Sequence, residues 1–181
     1  MFKLRRISRI IRHIDYSSVK ENEMRKKSFI AIVSVFVVIL GLIMVKTLHP
    51  TPIWEINAKQ FNSSFNSVGV NATIDDLSEF TTFEWDTLYS FAPYTPVEDV
   101  YQVVGYQWNK INSTVSEGMN QIVFLKEGKV VCYIDGYPDE YKVFFEFGQY
   151  TGNHFKLTSS DKLVFHMMAT DGGIRKFDYV R

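Results

Sequence analysis

Residues 28–45, SFIAIVSVFVVILGLIMV, form a charge-free apolar run of eighteen residues between Arg25-Lys26-Lys27 and Lys46. Wound as a helix at about 1.5 Å per residue, the run reaches roughly 27 Å, close to the hydrocarbon thickness of a bilayer. It has no polar face, so it does not fit the pattern of a helix lying on the surface of a soluble core. It therefore divides the chain into four parts: a basic segment 1–27, a transmembrane helix 28–46, a linker with a helix 47–72, and an outer domain 73–181.

The chain is formally neutral, but its charge is unevenly placed. Residues 1–27 carry nine Lys/Arg against three acidic residues, a balance of +6. From Thr47 onward there are ten Lys/Arg against seventeen acidic residues, a balance of −7. Basic residues packed against one end of a span mark the cytoplasmic side. The expectation is a single-pass protein of the cell membrane, N-terminus in the cytoplasm and C-terminal domain outside it. An acidic domain argues against a nucleic-acid partner, which requires clustered cations. A cleaved signal peptide fits less well, because signal h-regions run to about 7–15 residues and end in a small-residue site. Here the run is longer, and Lys46-Thr47-Leu48-His49-Pro50 offers no such site.

Ahead of the span, Leu4, Ile7, Ile11 and Ile14 recur at helical spacing among Arg5, Arg6, Arg9 and Arg12. Two readings stay open: a basic amphipathic helix on the inner membrane face, or a flank that only sets orientation. Behind it, Pro50 and Pro52 stiffen a short linker. Trp54 suits the outer interface, where amphipathic rings are favoured, and a helix follows at 53–65.

The domain reads as α+β, one early strand and a helix or two leading into a mainly antiparallel sheet. Phe83, Trp85, Thr87, Tyr89 and Phe91 alternate with Glu84, Asp86, Leu88 and Ser90, predicting a strand whose aromatic face points inward. Asp86 would then lie on the other face, free to cap a turn. Thr95, Pro96 and Glu98 predict a capped helix start for 96–104, with Gly105 as its stop. Segments 120–126 and 129–134 flank Glu127-Gly128 as a hairpin. Further strands are expected at 141–147, 162–170 and 174–180, in a meander. Ile122-Val123-Phe124-Leu125 is apolar on both faces, which requires cover on both sides of the middle strands. The single cysteine, Cys132, lies in one of these strands and reads as a buried thiol.

The stretch 83–105, FEWDTLYSFAPYTPVEDVYQVVG, carries the pattern W-D-x-L-Y-x-F-x-P-Y-T. In this it resembles a group of small uncharacterised exported or membrane-tethered bacterial proteins, mostly from low-GC Gram-positive organisms, over about half of the outer domain. The resemblance implies a bacterial origin and an extracytoplasmic site of work. It implies no chemistry. Several relatives are held by a lipid-modified Cys, whereas this chain has a span in that place.

Catalytic templates are missing: there is no G-x-S-x-G, H-E-x-x-H or P-loop pattern. His154, His166 and Glu146 are metal-ligating residue types, but strand spacing does not bring them together. Glu84 and Asp86 share a strand face without a cleft to place them in. The expectation is therefore no enzyme, no metal and no cofactor. Phe, Tyr and Trp make up 28 of the 181 residues, and most of them are core. The candidate binding residues are Trp85 and Asp86 in the strand, Tyr94 at the Pro93–Pro96 corner, and Trp108 and Tyr137 in loops. The leading expectation is a membrane-anchored extracytoplasmic binding or interaction protein with a protein or envelope partner. The alternatives are an accessory subunit of a membrane complex and a cell-envelope hydrolase with an unfamiliar site.

Overall fold

A computed structural model describes the backbone of residues 2–48 and 50–180, and the side chains of 23–48 and 50–180. The apolar stripe expected along residues 1–14 lies outside the described side chains. The chain divides into two compact units, Met1–Pro50 and Thr51–Arg181.

The first unit is a single helix, α1 (Phe2–Leu48). Its stretch Glu23–Leu48 is long and apolar enough to cross a membrane: its most apolar eighteen residues have a mean hydropathy of 3.0, with their side chains exposed. Two hydroxyls within this stretch bond back to the helix. Ser34 Oγ donates to the Ile30 carbonyl at 2.8 Å, and Thr47 Oγ1 donates to that of Met44 at 2.9 Å. Such back-bonding pairs these two hydroxyls in an apolar medium.

The second unit is α+β. Its elements in chain order are α2 (Ile53–Asn66), β1 (Thr73–Ile74), a 3-10 turn (Leu77–Phe80), β2 (Thr87–Phe91), α3 (Val97–Val104), β3 (Asn120–Lys126), β4 (Lys129–Gly136), a one-turn α4 (Pro138–Tyr141), β5 (Val143–Glu146), β6 (His154–Thr158), β7 (Phe165–Ala169) and β8 (Arg175–Tyr179). They form two four-stranded sheets, ordered β1-β7-β8-β5 and β4-β3-β2-β6. All pairings between these strands are antiparallel except β5 with β8, which is parallel. The expected meander is thus corrected. After the β3–β4 hairpin only β7–β8 are sequential partners: β5 pairs with β8, and β6 with the distant β2, which also pairs with β3.

Helix α2 sits at the centre of the main core. Phe61 and Phe65, four apart on one face, are fully buried among Phe124, Phe145 and Phe177. These partners come from both sheets, so α2 is part of the domain and not a linker before it. Asn57, on the same face, donates from Nδ2 to the Val131 carbonyl at 2.7 Å. Val131 is the residue at which the β3–β4 register shifts, since Phe124 opposes Cys132 while Leu125 opposes Val130. The extra residue of such a bulge loses its ladder partner and switches the face of what lies before it. Here Val130 joins the outer cluster, whereas Cys132 and Ile134 join the main core.

The sheet β4-β3-β2-β6 is covered on both faces, as its doubly apolar strand β3 requires. Ile122 and Phe124 face the main core, while Val123 and Leu125 face a second cluster built with Val100 and Val104 of α3. This two-sided cover reverses part of the expectation for 83–91. The regular strand begins only at Thr87, and Leu88 is buried in the main core together with Trp85, with the half-buried Phe83 packed against it. Tyr89 and Phe91 turn to the α3 side instead. A single inward face was the wrong premise, because each face of β2 has its own apolar layer.

The start of α3 is also corrected. Pro96 is the N-cap residue, and no side chain caps the helix. The Thr95 hydroxyl donates to the Ala92 carbonyl at 2.6 Å, fixing the corner itself. The carboxylates of Glu98 and Asp99 lie in the first turn, where the helix dipole favours them. Gly105 ends α3 at φ 94°, a left-handed conformation suited to glycine.

Candidate functional site

The five candidate binding residues do not converge. Trp85 is buried in the main core, its ring against Phe124 at 5.3 Å and its indole N–H donating to Thr81 Oγ1 at 3.2 Å. Trp108 lies on the opposite side of the sheet. It forms a set of edge-on contacts with Trp54 (5.2 Å) and Tyr133 (5.5 Å) in the α3 cluster. Trp54, expected at a membrane interface, is half-buried in that same cluster. Tyr94 is exposed at the corner, in a left-handed conformation at φ 63°. Tyr137 is exposed, with its hydroxyl against that of Ser116.

Asp86 holds a turn. Its Oδ2 accepts the Glu127 amide proton at 2.7 Å, and its Oδ1 pairs with Lys126 Nζ at 2.9 Å. Its own backbone N–H donates to the Leu125 carbonyl. The β3–β4 turn needs such an anchor. Glu127 (φ 50°) and Gly128 (φ 72°) are both left-handed, the pattern of a tight hairpin, and only Gly adopts it without strain. The hydrogen bond from Glu127 N–H, followed by that from Lys126, holds the Asp86 carboxyl below its ordinary 3.8. The bond to Asp86 in turn raises Lys126 above its ordinary 10.5.

The sign of the pH effect follows. A depressed carboxyl stabilises the fold above its unfolded pKa, and this is lost as pH falls through the folded value. The raised Lys126 contributes below 10.5 and is lost as pH rises past its folded value. Asp86→Asn is therefore expected to lower Tm across neutral pH, and the gap to the parent should close below about pH 4. Thermal melts of both proteins over a pH series check this. A constant gap would show that the charge is not what anchors the turn.

The histidines stay apart. His166 Nδ1 lies 2.9 Å from Thr73 Oγ1, whereas His154 packs on Tyr89 and Phe91 and contacts Asn153. Among the described residues, no three His, Cys, Asp or Glu side chains are grouped so as to hold a metal ion. Cys132 is buried, and burial pushes its thiol well above the usual range, which leaves it unreactive.

A recess does form beside the last turn of α3, lined by Glu98, Tyr101, Gln102, Gly105, Tyr106 and Gln107, with a volume of about 340 Å³. Its shape comes from Gly105. The left-handed residue donates its N–H to the Tyr101 carbonyl at 2.9 Å and reverses the chain, so that Tyr106 and Gln107 return beside the helix. The Tyr106 hydroxyl accepts the Val130 amide proton at 3.0 Å, which fixes that ring against β4. Tyr101 packs on the α3 cluster from the other side. Sequence reasoning had used Gly105 only as a helix stop and passed over these residues. Their signal was two Tyr and two Gln within seven residues around a glycine.

Neither protein-family models, nor curated proteins, nor solved structures match this chain.

Proposed function

We propose that this is a membrane-anchored protein whose C-terminal domain acts outside the cytoplasm as a binding module for an envelope component. The observation that carries the reading is the exposed apolar helix of Glu23–Leu48, with Arg25, Lys26 and Lys27 at its N-terminal end. The balance of +6 before the span and −7 after it supports N-in, C-out orientation in the cell membrane. The W-D-x-L-Y-x-F-x-P-Y-T signature points to the same compartment. Its physical role in this chain is largely packing, because Trp85, Leu88 and Phe91 are all buried.

Thiol labelling in intact cells tests the orientation. Lys129 is exposed on the hairpin, and Cys132 is buried, so the native thiol gives little background. A reagent that cannot cross membranes is expected to label Lys129→Cys in whole cells, and Ser8→Cys only after permeabilisation. The reverse pattern overturns the orientation, and labelled protein that stays in the supernatant after membranes are removed by centrifugation would overturn the anchor.

A further inference from the structure

We propose that the recess at the end of α3 is a binding site for a neutral oligosaccharide. This deepens the binding-module reading and rests on it only for the source of the ligand. A sugar ring presents a face of C–H groups and a rim of hydroxyls that both donate and accept. The recess offers the counterparts of each. Tyr101 and Tyr106 supply aromatic surface, the kind of amphipathic body that ligand sites favour. Gln102 and Gln107 add carboxamides, each with two donors and an acceptor, and Glu98 adds a carboxylate that accepts hydroxyl protons.

The same lining sorts ligand classes. It holds no Lys or Arg, and its one charged group is Glu98, so an anionic ligand meets repulsion without a compensating cation. An extended peptide binds best where a sheet edge offers main-chain hydrogen bonds, and this recess lies at a helix end. A lipid chain would need a more apolar lining. The volume of about 340 Å³ is at the lower end of small-molecule sites, enough for one or two sugar rings.

The parts of the site are also set in place before any ligand arrives. Tyr106 is held through its hydroxyl by Val130, and Tyr101 by packing on the α3 cluster. The Cβ that Gly105 lacks would meet nothing within 4 Å, so the reversal is fixed by backbone conformation and the floor is open. Rings already held lose little freedom on binding, and that is the condition under which a shallow site gains affinity.

The test uses the full chain in a zwitterionic detergent, since sugar-headed detergents would compete. Tetra-N-acetylchitotetraose, cellotetraose and maltotetraose are titrated by calorimetry, with tetragalacturonate as the anionic arm and tetra-alanine as the peptide arm. At least one neutral oligosaccharide is expected to bind with Kd of about 1 mM or tighter. Gln102→Ala with Gln107→Ala should weaken it roughly tenfold at unchanged Tm, because both side chains are exposed. Tyr106→Phe keeps the ring but removes the bond that holds it, and should weaken binding severalfold. The proposal is overturned if no neutral oligosaccharide binds, if the double variant binds as the parent does, or if tetragalacturonate or tetra-alanine binds more tightly. None of these results bears on membrane orientation, which the thiol labelling reads independently.

Discussion

Phe65→Ala is expected to cost about 3–5 kcal/mol, the usual range for truncating a fully buried phenylalanine. Phe65 is 0 % exposed and touches rings from three directions: Phe61 on its own helix, Phe80 at the end of the 3-10 turn, and Phe145 and Phe177 from two neighbouring strands. No single neighbour can move in without leaving another, so the cavity collapses poorly. Domains of this size are stable by about 5–15 kcal/mol, and the loss is therefore a large fraction of the whole. Urea unfolding of the detergent-solubilised chain measures it. All three tryptophans, Trp54, Trp85 and Trp108, lie in the second unit, so fluorescence reports the domain alone. The midpoint should fall with the slope unchanged. A loss under about 1 kcal/mol would return α2 to the status of a peripheral linker.

That linker status was the reading from sequence, and its failure is instructive. Helix periodicity identified 53–65 correctly as a helix, but periodicity says nothing about what a helix packs against. Phe61 and Phe65 were visible as an i, i+4 pair, and their partners Phe145 and Phe177 lie 80 and more residues away. The hairpin at Glu127-Gly128 was legible because its cause is local, two residues with positive φ between alternating strands. Two-sided burial of β3 was legible for a similar reason: Ile122-Val123-Phe124-Leu125 leaves no polar face. The same logic was not extended to β2, its neighbour, where Leu88 is the core residue that single-face alternation treated as an exception. Strand β6 escapes the sequence reading because HFKLT, only five residues long and directly after Gly152-Asn153, alternates too briefly to stand out. The parallel pairing of β5 with β8 has no sequence signature at all.

The site followed the same rule. Aromatic residues were numerous enough that type alone selected poorly, and Trp85 proved to be packing. Asp86 does hold a turn, but from just ahead of β2 and with a partner 41 residues away, which strand alternation does not reveal. The α3 recess depends on where Gly105 sends the next two residues, and that direction is set by Val130 on a distant strand, through Tyr106.

The second large effect is expected at Asn120, where the two sheets are joined. Asn120 opens β3 in one sheet, yet its side chain bonds the middle of β5 in the other. Its Oδ1 accepts the Phe145 amide proton at 3.0 Å, and its Nδ2 donates to the Phe145 carbonyl at 3.4 Å. The geometry has a reason. Strand β5 is the edge of its sheet and bonds β8 on one side only, with the Lys142 carbonyl taking the Arg175 amide proton. The backbone groups of Phe145 point the other way, into buried space, and a carboxamide is the one side chain that matches a peptide's donor and acceptor together. Asn120→Ala leaves both groups of Phe145 without partners, at about 1–3 kcal/mol each, for a loss of about 2–6 kcal/mol. Urea unfolding reads the total, and amide exchange at Phe145 reads the cause, since its protection should fall ahead of the rest of β5. Asn120→Asp separates hydrogen bonding from volume. Once protonated, the carboxyl can accept from N–H and donate to C=O as the amide does; ionised, it faces a carbonyl in a buried site. Its folded pKa is then raised, so its stability is kept at low pH and lost as pH rises through that value. The Asp variant is thus expected to lie closer to the parent near pH 4 than at pH 7. An equal deficit at both would mean that Asn120 fills space and does not bridge the sheets.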